Sequence, residues 1–161
     1  ENEIMLGVSR RIELVPQLNV AKRNAASSYQ TTNYGLAGMV EVHNDPWGYE
    51  SGTKLVEGRE NLVATGDYIA TFMGWLENVE GGGATAFNYN NFEGILVPTK
   101  GSAAFWFNLS YCHIKDQRSN HGGCPVLKGS KWILNKWVYS FDQWNTWPCH
   151  LKQYLAIKPF A

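Results

Sequence analysis

The sequence predicts a mainly β fold, a sandwich or jelly roll behind one leading helix, and three observations carry that reading. Short apolar runs punctuated by glycine turns fill the chain from Tyr29 onward. Helical patterns do not alternate with these runs, which argues against a parallel sheet built from crossover helices. Seven Trp, eight Tyr and seven Phe accompany sixteen Gly, a composition suited to pleated layers whose aromatics fill a core and whose glycines make the turns.

From Glu1 to about Leu18, Ile4, Met5, Val8, Ile12 and Val15 recur at spacings of three and four, the period of an amphipathic helix, ended by Pro16. It is expected to cover one side of the core. Residues 20–28 are small and polar, a further helical turn or a loop. Thr31, Thr32 and Tyr34 then lead through Gly35 and Gly38 into a strand around Val40–His43. Residues 45–67 read as a long connection over a site entrance. An apolar strand over Tyr68–Leu76 follows, then a turn at Gly81–Gly83 and a short strand over Ala84–Phe87. Tyr89–Gly94 reads as a polar excursion. Ile95–Pro98 and Ser102–Phe107 look like two strands joined by a turn at Thr99–Gly101. Tyr111–Asn120 reads as a second loop, and strands over Pro125–Leu127 and Lys131–Val138 flank a turn at Lys128–Ser130.

The chain has 161 residues, 44% of them hydrophobic, enough for one well-buried core and short for two, so one domain over 1–161 is expected. Lys plus Arg and Asp plus Glu are both 14, and no basic cluster stands out. Nucleic acid is therefore not an expected partner. No apolar run approaches the roughly 18 residues of a membrane span. The chain opens at Glu1 without a Met or a signal-like stretch, as a piece of a longer protein or a processed form would.

The candidate chemistry begins at His43-Asn44-Asp45. On an extended backbone His43 and Asp45 share a face, because side chains alternate with period two. Two histidines and one carboxylate are the usual ligands of a non-haem Fe(II) centre that keeps positions open for cosubstrate and oxygen. The missing ligand is then a distant histidine. Alone, the pair also suits a partly exposed His and an Asp opening the turn at Asp45–Gly48. His121 stands at a strand edge beside Gly122 and Gly123, which leave room for a ligand or another backbone. Lys131 opens an apolar strand, where a buried ammonium needs an anion such as a ligand carboxylate, or else snorkels to solvent. Trp106 and Trp137 suit either a pocket wall or plain core packing.

Four segments then carry a resemblance: His43-x-Asp45; Gly82-Gly83-Ala84-Thr85; Gly101 to Leu109; and His121-Gly-Gly-Cys124 through Lys131 to Asn135-Lys136-Trp137. In order and spacing they resemble the catalytic domain of the collagen prolyl 4-hydroxylase α subunit, a member of the Fe(II)- and 2-oxoglutarate-dependent dioxygenases, from about Val8 to Cys149. The resemblance implies a double-stranded β-helix (jelly roll). It implies Fe(II) held by His43, Asp45 and His121, and the far carboxylate of 2-oxoglutarate paired with Lys131, with Trp75, Thr85 and Trp137 as further cofactor-binding residues. The implied activity is hydroxylation of peptidyl proline at C4 in collagen-like X-Pro-Gly sequences. It consumes O2 and decarboxylates 2-oxoglutarate to succinate and CO2, with ascorbate keeping the iron reduced.

The same resemblance implies a Cys124–Cys149 disulfide, the endoplasmic reticulum lumen, a longer subunit with an N-terminal peptide-binding and assembly region, and protein disulfide isomerase as partner. Cys112 is left as a free thiol. Asn108-Leu109-Ser110 matches a glycosylation sequon, but Asn108 ends a core strand and is expected to be unused. The chain departs from the family pattern at four positions. Trp75 stands where a Tyr usually bonds 2-oxoglutarate, Val40 where an aromatic is common, Tyr139 where a His follows the Trp, and Tyr68 where an Arg is common. These departures leave two other readings: the same chemistry on a different peptide, or a domain that keeps the fold and a metal for structure or assembly.

Overall fold

The computed structural model describes residues 2–22, 24–46, 49–50, 54–55, 66–89, 92–110 and 114–148. Helix α1 (Glu3–Glu13) starts where the Asn2 side chain accepts from the Met5 amide at 2.9 Å, a standard N-cap, and places Arg10 and Arg11 in its last turn. It stops short of the expected Leu18 because Pro16 disfavours helical backbone at the residue before it. Ser9 and Ile12 are its buried residues, with Val8 packed beside Ile12. Ile4 and Val15, which fit the helical period, stand exposed at the two ends. Residues 20–22 and 24–28 are loop, not a further helical turn, and Ala26 bridges to Val138.

Twelve strands follow among the described residues: β1 (Gln30–Tyr34), β2 (Val40–His43), β3 (Tyr49–Glu50), β4 (Lys54–Leu55), β5 (Tyr68–Trp75), β6 (Gly81–Gly82), β7 (Thr85–Tyr89), β8 (Phe92–Leu96), β9 (Ala103–Phe107), β10 (His121–Gly123), β11 (Val126–Lys128) and β12 (Lys131–Tyr139). Eight of them form two antiparallel sheets, ordered β1-β12-β5-β9 and β2-β10-β7-β8. This is the jelly-roll architecture that the sequence predicts.

Two local expectations are corrected. The polar excursion at Tyr89–Gly94 is the tip of a hairpin, since β8 starts at Phe92 and pairs Asn88 with Glu93 and Phe87 with Gly94. The expected turn at Gly81–Gly83 is in part a strand, since Gly81 and Gly82 form β6 and pair with β11. The runs around the Thr99–Gly101 turn are strands as read, β8 lying beside β7 and β9 crossing to β5 in the other sheet. Polarity marked the first segment as loop, yet strands at a sheet edge tolerate charge on their solvent side.

Alternation along β12 divides the protein in two. Lys131, Ile133, Asn135 and Trp137 turn toward the space between the sheets, where they line a cavity. Residues of the other parity face away, and Val138 joins Ile12, Leu18, Val20, Ile69 and Trp147 in the larger apolar cluster under α1. A smaller cluster, Met73, Trp75 and Ile133, adjoins the cavity, which Met73 and Ile133 line. No helix among the described residues is long and apolar enough to cross a membrane.

Candidate metal and cosubstrate site

The cavity between the sheets measures about 270 Å3, near the lower end for small-molecule sites. His43 ends β2 and His121 opens β10, and antiparallel pairing sets the two residues directly opposite. Their rings lie 4.5 Å apart between centroids. Asp45 follows two residues beyond His43. One nitrogen or oxygen from each of these three side chains lies within 4.8 Å of the others. The Nε2 atoms of His43 and His121 are 3.4 and 3.9 Å from the same carboxylate oxygen, Asp45 Oδ1.

The backbone decides which ring nitrogens are free. His43 Nδ1 lies 2.8 Å from the Glu41 carbonyl, and His121 Nδ1 lies 2.8 Å from the Ser119 carbonyl. A carbonyl only accepts, so each Nδ1 carries the proton and each Nε2 lone pair points toward Asp45. Two lone pairs and a carboxylate oxygen aimed at one another repel unless a cation stands among them. A proton partly meets that need at His43, whose pKa is raised chiefly by the hydrogen bond to Asp45. His121 goes the other way, because burial pushes its pKa down more than Asp45 pushes it up. Burial would raise the Asp45 carboxyl, but hydrogen bonds from His43 and Thr71 and the nearby His121 outweigh it and hold the pKa low.

The surroundings are asymmetric. His121 is buried, with Trp106 edge-on at 4.7 Å and Phe87 at 5.4 Å, so its ring cannot swing. The His43 side chain is 41% exposed, and the site opens on its side. Asp45 is fixed from behind: the Thr71 hydroxyl donates to Oδ2, and Asn108 Nδ2 donates to Thr71 Oγ1 at 2.8 Å. Sequence reasoning missed both residues. Thr71, a hydroxyl inside an otherwise apolar strand, was the available signal. Asn108 was read only as a sequon, and at 0% exposure it is buried, as expected.

Lys131 is 3% exposed and points into the same cavity, where its ammonium donates to Thr85 Oγ1 at 3.1 Å and lies 5.6 Å from the Tyr34 ring centre. Burial lowers its pKa, with Cys124 opposing. Lys136, five residues on, is equally buried on the opposite face but has its needs met by the Ser27 carbonyl at 3.0 Å and the Tyr29 ring at 4.1 Å. Among the described residues no carboxylate pairs with Lys131. The structure therefore brings His43, Asp45, His121, Lys131, Thr85 and Trp137 to one cavity.

Trp75 is placed differently. It is 4% exposed in the cluster with Met73 and Ile133, beside the cavity and not among its lining residues, and its indole N–H is buried without a partner. Cys124 is free and half-buried, and Cys149 and Cys112 lie outside the described residues.

Two of the four departures from the family pattern, Tyr68 and Tyr139, meet at the far end of β12. A bulge between Val138 and Tyr139 brings Tyr139 opposite Tyr68. The Tyr68 ring stacks on both Trp137 and Tyr139, each at 5.5 Å between centroids.

Comparison with known proteins agrees with this geometry. Residues 29–139 match the family model of the 2OG-Fe(II) oxygenase superfamily. The chain is 38% identical over 146 residues to prolyl 4-hydroxylase subunit alpha-2 of Caenorhabditis elegans, covering 91% of this chain and 25% of that subunit. It is 40% identical over 124 residues to subunit alpha-3 of Mus musculus, covering 77% of this chain and 21% of that one. The chain thus spans about a quarter of the length of the curated relatives it matches. Among solved structures, the viral collagen prolyl hydroxylase of Paramecium Bursaria Chlorella virus-1, in complex with 2OG, superposes with a TM-score of 0.63 at 20% identity, covering 86% of this chain and 74% of that one, a likeness of fold. By the family match over most of its length, and with two histidines and an aspartate converging inside a jelly roll, this chain belongs to the 2OG-Fe(II) oxygenase superfamily.

Proposed function

We propose that this chain is the catalytic part of a peptidyl-proline 4-hydroxylase acting on collagen-like X-Pro-Gly sequences. One observation carries the reading: three metal-type donors converge in a cavity that also holds a buried ammonium with no acidic partner among the described residues. A dicarboxylic acid chelated at one end and charge-paired at the other fits that separation of roles.

The donor set suits Fe(II). Two imidazole nitrogens and one carboxylate oxygen leave other positions open, and each imidazole is oriented by a backbone carbonyl. His43, Asp45 and His121 would hold the iron, and Lys131 with Thr85 would hold the far carboxylate of 2-oxoglutarate. Bound iron supplies the redox chemistry that couples decarboxylation of 2-oxoglutarate to succinate and CO2 with hydroxylation by O2, ascorbate keeping the metal reduced. Trp106 and Phe87 exclude water from the His121 side. Trp137 continues the wall toward the opening, where the proline ring would enter. The similarity to prolyl 4-hydroxylase α subunits supports a place in a longer subunit of the endoplasmic reticulum lumen, partnered with protein disulfide isomerase.

A second reading keeps the chemistry and changes the peptide. It is favoured by the aromatic stack of Tyr68, Trp137 and Tyr139, together with Val40 on the cavity wall, where the family pattern has an arginine, a histidine and another aromatic. Incubation with Fe(II), 2-oxoglutarate, ascorbate and a peptide panel that includes (Pro-Pro-Gly)n decides between them, with succinate and peptide mass as readouts. Hydroxylated (Pro-Pro-Gly)n is the expected result, lost in His121→Ala. Hydroxylation of a non-collagen peptide alone selects the second reading, and no succinate with any peptide removes both.

A further inference from the structure

Asn44 stands between two of the three residues that converge on the site, yet alternation turns its side chain away from them. Its amide nitrogen lies 2.9 Å from Ser119 Oγ, 3.1 Å from the Asp116 carbonyl and 3.1 Å from Asn120 Oδ1. All three acceptors belong to one short segment, a 3-10 turn (Gln117–Ser119) with its flanking residues, which delivers the chain to His121. The turn is firm in itself, since Asp116 caps it by accepting from the Arg118 amide at 3.0 Å and also grips the Arg118 guanidinium.

Ser119 links the two sides. Its hydroxyl donates to the Asp116 carbonyl at 2.7 Å and so meets Asn44 as an acceptor, while its own carbonyl accepts from His121 Nδ1 at 2.8 Å. One residue therefore separates the Asn44 amide from the atom that sets the tautomer and direction of the His121 ring. Strand pairing cannot do this work alone. The β2–β10 ladder pairs His121 with His43, then shifts register before Gly123 meets Val40. Asn44 is the first residue past the end of that ladder.

We propose that Asn44 is a positioning residue for the metal site. It clamps the turn at Asp116–Asn120 to the His43–Asp45 segment and so keeps His121 Nε2 aimed at Asp45. The inference rests on the reading of His43, Asp45 and His121 as metal ligands. Three acceptors facing one side chain call for a donor group, which a primary amide is. Aspartate would set acceptor against acceptor, and leucine would take this donor away from all three.

The test is Co(II) binding to the full chain, measured by chelator competition and by the visible spectrum of the bound ion, for the parent, Asn44→Leu and a control, Asn78→Ala. The control removes an acceptor for the Lys100 amide at 2.8 Å in a turn outside the cavity lining. Asn44→Leu is expected to bind Co(II) at least tenfold more weakly, with an altered spectrum, while Asn78→Ala stays within twofold of the parent. Where Asn44→Leu does not fold, Ser119→Ala takes its place, with a several-fold loss expected. Affinity and spectrum equal to the parent's in the folded variant overturn this inference alone. A parent chain that binds no Co(II) removes the ligand assignment and the inference with it.

Discussion

The hydroxyl of Thr71 donates to Asp45 Oδ2, the carboxylate oxygen turned away from both imidazoles, and receives in turn a hydrogen bond from Asn108. This contact decides which Asp45 oxygen is presented to His43 and His121. Thr71→Val keeps the shape and deletes the hydroxyl, leaving two buried polar groups without this partner. We expect a stability loss of about 1–3 kcal/mol by denaturant unfolding and metal affinity about tenfold lower. Thr71→Ser should keep both near the parent's values.

Lys131 should behave as a residue that serves the ligand at the expense of the free protein. Burial holds its folded pKa below the unfolded value of about 10.5, so the unfolded chain binds the proton more tightly. The cost is fully present below the folded pKa and is relieved as pH rises from that value toward 10.5. Without metal or cosubstrate, Lys131→Met is expected to melt about 3 °C above the parent at pH 7, the gap narrowing on the alkaline side. The same variant should bind 2-oxoglutarate at least tenfold more weakly with its metal affinity little changed, by calorimetry.

Gly122 lies where the two histidine strands meet, with no room for a side chain. A Cβ there would sit 3.1 Å from the Val40 carbonyl and 3.3 Å from both the Val42 amide and its side chain, so backbone must give way. Gly122→Ala is expected to push β10 from β2, part His121 from His43 and weaken Co(II) binding severalfold, with melting lowered by a few degrees. A parent-like affinity would show that the ladder has slack.

The stack of Tyr68 on Trp137 and Tyr139 sets an uncharged surface beside the cavity wall formed by Trp137. Replacing Tyr68 by Arg brings a cation there. We expect Tyr68→Arg to lower the KM for peptides with acidic residues beside the proline by about fivefold relative to (Pro-Pro-Gly)n, with the KM for 2-oxoglutarate within twofold of the parent's. Steady-state kinetics on paired peptides checks this.

Much of the fold was legible because alternation and glycine turns write sheet structure locally. The Tyr68–Trp75 strand and β12 fall where the pattern places them. Errors came where partners lie far off in the chain. Nothing local says that β8 pairs backward with β7 while β9 leaves for the other sheet. Likewise the helical period continues through Val15, but the helix ends at Glu13 and Val15 is exposed. At the site, His43, Asp45, His121 and Lys131 were visible as costly polar groups in apolar strands, and as a matching order of motifs. Thr71, Asn108 and Asn44 were not, since their roles exist only once three strands and a turn have met. Trp75 reads in sequence as a cosubstrate contact, whereas its indole packs with Met73 and Ile133 beside the cavity.

The larger apolar cluster lies under α1, on the side of β12 away from the cavity. Changes at Val40 on the cavity wall, or at Tyr68 and Tyr139 where they stack beside Trp137, therefore draw little on that cluster. Such a division makes the pocket, not the core, the place where an engineer can vary side chains without first having to rescue the scaffold.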